Sequence, residues 1–95
     1  MVVFKPAGGV AAAGTPNTHD LGASLNDLAA QHLAISNTHA TGILEVTFSV
    51  DGSTYTSEFD VNPGDTVVFD RVNVAKVKVD ANTNATTYTV AGWRD

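Results

Sequence analysis

The stretch that decides the fold is Leu44-Glu45-Val46-Thr47-Phe48-Ser49-Val50-Asp51-Gly52. Leu44, Val46, Phe48 and Val50 alternate with Glu45, Thr47 and Ser49. Successive side chains of an extended chain point to opposite sides, so this is a strand with one buried and one wet face. Asp51-Gly52 then signals a hairpin, because a two-residue type I′ turn needs positive φ at both central positions. The return strand puts Tyr55, Ser57, Phe59 and Val61 on one face. Thr54, Thr56, Glu58 and Asp60 fall on the other.

The same reading extends in both directions. Downstream, Asn62-Pro63-Gly64-Asp65 has the chemistry of a type II turn, with φ preset by Pro63 and positive φ supplied by Gly64. Val67 and Phe69 share one face of Thr66–Asp70. In a following strand over Arg71–Asp80, Ala75, Val77 and Val79 oppose Lys76, Lys78 and Asp80, and lysines on the wet face suit an exposed strand. Ala81–Asn84 is a turn. Tyr88 and Val90 then point inward, with Thr87 and Thr89 outward. Upstream, Leu21, Leu25, Leu28 and His32 recur at helical spacing, so a short helix or turn is expected around 24–30. Leu33 and Ile35 alternate with Ala34 and Ser36, which predicts a strand over 32–37. Six short strands at this spacing predict an all-β fold, a small antiparallel β-sandwich or open barrel.

The N-terminal stretch is different in kind. Residues 1–42 hold nine of thirteen alanines, five of eight glycines and two of three prolines. Only Lys5, Asp20 and Asp27 are charged there. Lys5–Thr18 is rich in small residues and broken by Pro6 and Pro16, which disfavours a continuous element. The apolar start precedes Lys5, the only lysine of this stretch, which is the wrong order for a signal peptide. Residues 1–18 therefore read as an extended N-terminal arm and residues 19–95 as a single β-sandwich domain. Val2, Val3 and Phe4 are the candidate partner-binding residues, an apolar tip for docking on a neighbour.

Composition removes several function classes. The chain has 95 residues, no cysteine and a net charge of −5. That length holds one core. Zero Cys rules out disulfides and thiolate chemistry. There is no run of 18 apolar residues to span a membrane as a helix, and five basic residues are few for gripping nucleic acid. No nucleophile elbow, HExxH or P-loop is present. His19, His32 and His39 stand at spacings that share no helix or strand face. Asp51, Asp60, Asp65 and Asp70 lie near strand ends, but lack the alternating ladder of a calcium loop. No catalytic, cofactor-binding or metal site is expected. Asn84-Ala85-Thr86 fits a glycosylation sequon and reads equally as a turn. Trp93 reads as a packing residue.

The pattern running through Phe48-Ser49-Val50-Asp51-Gly52, Asn62-Pro63-Gly64-Asp65, Val74–Val79 and Thr87–Gly92 resembles small β-sandwich virion proteins of tailed bacteriophages. These include capsid decoration (cement) proteins and head or tail accessory modules. The resemblance covers about residues 33–92 and lies in pattern and turn placement. It implies a non-enzymatic role on the virion. The partners would be other virion proteins, namely the major capsid protein or neighbouring subunits, within a homo-oligomer such as a trimer. Alternatives are a tail, neck or fibre accessory protein and a carbohydrate-binding or adhesion module. An enzyme pairing His39 with Asp51 or Asp65 lacks a nucleophile signature.

Overall fold

A computed structural model describes residues 3–21 and 30–94, with side chains described for 9–21 and 30–94. Eight strands follow in order: β1 (Val3–Ala11), β2 (Asn17–Asp20), β3 (Ala30–Asn37), β4 (Leu44–Ser49), β5 (Phe59–Val61), β6 (Thr66–Val74), β7 (Lys76–Ala81) and β8 (Thr86–Arg94). They build two four-stranded sheets, ordered β1-β8-β3-β6 and β2-β7-β4-β5. Every ladder is antiparallel. The chain crosses from sheet to sheet so that its first and last strands become neighbours. Two four-stranded sheets wound this way form a jelly roll.

Period-2 patterning explains the core. Leu33, Ile35, Leu44, Val46, Val61, Val74, Val77, Val79 and Val90 are essentially inaccessible and fill the space between the sheets. Phe48, Phe59 and Phe69 close one end as a mutual edge-to-face cluster, with ring centroids 5.4–6.4 Å apart. Such packing contributes beyond the area that it buries.

The all-β, two-sheet architecture agrees with the sequence reading, and the six expected strands correspond to β3–β8 with two changes of bounds. Arg71–Val74, expected to open the strand that ends at Asp80, continues β6, and of the expected return strand only Phe59–Val61 is β5. β1 and β2 are additions to it. The segment read as a free arm lies on its own chain: β1 pairs with β8 from Val3↔Arg94 to Ala11↔Thr86, and β2 pairs with β7. The boundary drawn between residues 18 and 19 therefore falls inside β2. Leaving β1 off would expose the whole edge of β8, and satisfying that edge is what makes a Gly/Pro-rich segment extend. Residues 24–29 of the expected helix lie outside the described residues, and Ala30 already belongs to β3.

The turns follow their chemistry, with one change of register. Asp65 donates its N–H to Asn62 O at 3.0 Å, and Gly64 has φ +79°, as a type II turn requires. At Asp51-Gly52 the chain does reverse, but the ladder runs Leu44↔Val61 and Val46↔Phe59, with a bridge at Ser49↔Tyr55. A two-residue turn would set Ser49 opposite Thr54. The loop is wider because Asp51 organises it: Oδ1 accepts from the N–H of Ser53 and Thr54, both at 2.7 Å, and from Ser49 Oγ at 2.9 Å. Those bonds, backbone first, pull the Asp51 carboxyl down to about 2.

Candidate functional site: a neutral sheet face

The two sheets differ on their outer faces. On the β1-β8-β3-β6 sheet, register places residues in rows across the strands. One row is Val68-Ala34-Ala91-Pro6 and the next is Thr66-Ser36-Thr89-Gly8. A third ends on Thr87 and Val10, and a fourth runs Asp70-His32-Trp93-Phe4. Asp70 is the only ionisable carboxylate in these rows, and it pairs with His32, Nδ1 to Oδ1 at 2.8 Å. Val68 and Val10 are each 55% exposed, high for their type.

Four hydroxyls on this face pair with one another, while that of exposed Thr89 faces solvent. Ser36 Oγ lies 2.9 Å from Thr66 Oγ1, and Thr38 Oγ1 donates to Thr87 Oγ1 at 3.1 Å. Covering such a surface strands few polar groups, so desolvation costs little. Val68, Ala34, Ala91, Thr66, Ser36, Thr89 and Thr87 are short, which keeps the rows between Val68 and Thr87 flat, while the stacked rings of His32 and Trp93 stand at one end of the face.

The outer face of the β2-β7-β4-β5 sheet is the opposite. Asp60, Glu45 and Asp80 form one row across β5, β4 and β7. Carboxylate oxygens of Glu45, Glu58 and Asp60 come within 4.8 Å of one another. Desolvation, and then the charge of Glu45, raise the Glu58 carboxyl above its ordinary value. Lys78 sets its ammonium 4.2 Å from the centre of the Tyr55 ring, a cation–π contact. This face is built to stay in water.

The residues singled out from sequence do not converge on a centre. Val2 lies outside the described residues, as do the side chains of Val3 and Phe4. The backbone of Val3 and Phe4 belongs to β1, opposite Arg94 and Trp93. His19 lies between the sheets with Nε2 2.7 Å from the Tyr88 hydroxyl, and burial lowers its pKa. His39 shapes a loop, its Nδ1 accepting from the N–H of Thr41 and Gly42. His32 stacks on Trp93 with centroids 5.1 Å apart. Trp93 thus packs on the outer face. Thr86 of the sequon is buried and donates to Asn84 O at 2.8 Å. Asp51, Asp60, Asp65 and Asp70 occupy four separate settings.

Sequence reasoning missed Asn37. It is 2% exposed, and its Nδ2 donates to Gly42 O at 2.7 Å and Val61 O at 2.9 Å. Its Oδ1 accepts from His39 N at 2.9 Å. In sequence it looks like an ordinary turn asparagine beside Ser36 and Thr38.

No protein-family model matches the chain, and no curated protein matches it by sequence. Solved structures match its fold. One is a Cupin 2 conserved barrel domain protein from Salinispora arenicola, 15% identical, with a TM-score of 0.59 over 98% of this chain. This chain spans 64% of that protein's length. A second is the structure of Bacillus endospore appendages, which form disulfide-linked pili, 16% identical with a TM-score of 0.53. That match covers 96% of this chain and 87% of the other. A third is a de novo designed double-stranded β-helix, 9% identical with a TM-score of 0.54, covering 95% of this chain and 99% of the design. At these identities the likeness is one of fold.

Proposed function

We propose that the chain is a non-enzymatic virion structural protein. In this reading it is a capsid decoration protein that seats the outer face of the β1-β8-β3-β6 sheet on a bacteriophage shell and stabilises it as an oligomer. The observation that carries this reading is the charge asymmetry of the two faces. A chain of net charge −5 leaves one whole sheet face, among the described residues, with a single, partnered carboxylate. An acidic surface approaches another protein most easily through such a face.

The size of the face fits repeated rather than solitary binding. Four strands about 4.8 Å apart and four rows about 7 Å apart give a footprint near 500 Å². Both partners together would bury about 1,000 Å², the low end for a specific complex. On a shell the same weak contact recurs at each copy, and avidity makes up the difference. The docking role expected of Val2, Val3 and Phe4 passes in this reading to the face that β1 completes.

Val68→Asp tests it. Val68 is exposed, so the variant should stay folded and melt within about 4 °C of the parent, as surface changes do. Co-sedimentation with phage shells should fall at least tenfold, and light scattering should show loss of any oligomer. Unchanged binding and unchanged mass would refute the reading. Deleting residues 1–17 is a poorer test, because it removes β1 and exposes the β8 edge.

A further inference from the structure

The geometry points to a carboxylate-binding site in the cleft at the β3–β6 bulge, with the guanidinium of Arg71 as its anchor. The ladder between these strands runs in register from Ser36↔Thr66 to His32↔Asp70 and then shifts, so that Ala30 pairs with Val74. Arg71, Val72 and Asn73 thus face Gln31 alone. A bulge of this kind re-aims side chains and recurs beside functional sites.

Arg71 sits in the bulge with φ +59°, the only positive φ outside glycine among the described residues. A left-handed arginine is strained, and glycine would fit there without cost. The strain therefore asks what the side chain does. Arg71 is exposed and makes no ion pair with any described carboxylate. Asp70, its neighbour in sequence, is bonded to His32 instead.

Beside it lies an open cleft of about 360 Å³, lined by Gln31, His32, Arg71, Val72 and Asn73. The lining is mostly polar. Its donors are a guanidinium fork and the Asn73 carboxamide, next to an imidazole held by Asp70 and backed by Trp93. A planar fork matches a carboxylate with two parallel hydrogen bonds. The cleft carries one guanidinium charge in an otherwise acidic chain, which suits a monoanion over a doubly charged phosphate. The carboxylate could belong to a simple organic acid or to an acidic sugar. The cleft has room for a hexuronate ring, which the Gln31 and Asn73 side chains would flank.

The test is a titration of the full chain with sodium acetate, sodium glucuronate and glucose, followed by amide and arginine Nε NMR shifts at constant ionic strength. Glucuronate should produce saturable shifts at Arg71, Asn73 and His32, and glucose none. If acetate shifts the same signals with similar affinity, the site reads the carboxylate alone. A weaker response to acetate means that the sugar contributes. Arg71→Gly should weaken binding at least about tenfold. It should also melt at or above the parent temperature, because it relieves the backbone. Absence of saturable shifts with both acids would overturn the proposal, and so would equal binding by the glycine variant. A fall in melting temperature on Arg71→Gly would assign the arginine a structural role instead. Val68→Asp leaves this cleft intact, so loss of shell binding and loss of carboxylate binding are separable.

Discussion

Replacing Asn37 with alanine should be among the most damaging single changes in this protein. The side chain binds Gly42 O and Val61 O and accepts from His39 N, all between 2.7 and 2.9 Å. Alanine leaves two buried carbonyls and one partly buried N–H without that partner. Each abandoned buried group costs about 1–3 kcal/mol, so a total near 3 kcal/mol is expected once water reaches the outermost one. For a domain of this size, that is a drop in melting temperature of about 12–20 °C. Asn37→Asp separates the donor from the acceptor function. The new carboxylate still accepts from His39 N but turns its second oxygen toward two carbonyl oxygens. Its protonated form restores one donor, so folding raises its pKa. A raised folded pKa gives stability that is fully present below the unfolded value of about 4 and is lost as pH rises through the folded value. Urea melts followed by Trp93 fluorescence at pH 4, 5.5 and 7.5, each against the parent, read this out. The aspartate variant should lose stability steadily toward pH 7.5, while the alanine variant keeps a constant deficit. An alanine deficit under 1 kcal/mol, or an aspartate variant without pH dependence, would refute the assignment of Asn37 as the tie among these loops.

Three further outcomes follow from particular contacts. The depressed pKa of His19 means that its neutral form is favoured by folding, so stability should fall as pH drops below about 6.5; His19→Gln should flatten that slope in melts from pH 7.5 to 5. The Asp51 carboxyl, held at about 2, organises its loop at pH 4 and should release it as pH falls through 2; the amide shifts of Ser53 and Thr54 should report one shared midpoint there, and in Asp51→Ala they should not titrate. Gly42→Ala would drive its new methyl into the buried Thr86 side chain and should cost about 1–3 kcal/mol; a double-mutant cycle with Thr86→Ala should recover some of that loss by denaturant titration.

What is legible in the fold is what is written in alternation. β4, β7 and the middle of β8 alternate apolar with polar residues, β6 places Val67 and Phe69 on one face before its bulge, and the parity of β8 already sets Thr87 and Thr89 outward. β1 and β2 are hidden because Pro6, Gly8, Gly9 and Pro16 lower strand propensity. They extend because the edges of β8 and β7 need partners, a tertiary demand with no local trace. The neutral face is illegible for a related reason. Val68, Ala34 and Ala91 are far apart in sequence, and only the order β1-β8-β3-β6 lines them up in one row. Arg71 gives no signal, since Asp70-Arg71-Val72-Asn73 contains no glycine to mark positive φ. Tyr55, expected on the face of Phe59 and Val61, is half-buried and lies under Lys78 instead.

The pairing of the first strand with the last has a mechanical consequence. Val3 lies opposite Arg94, and Ala11 lies opposite Thr86. A pull on the two ends of this ladder therefore acts across its outermost rung. The rungs open in succession, as in a zipper, and each step needs little force. A pull between Val3 and the loop at 82–85 runs along both strands and loads all the rungs at once, in shear. The same subunit is thus soft in one direction and stiff in the other. Held by its flat face and tugged through both termini, it would peel away β1 while β8, β3 and β6 keep their grip.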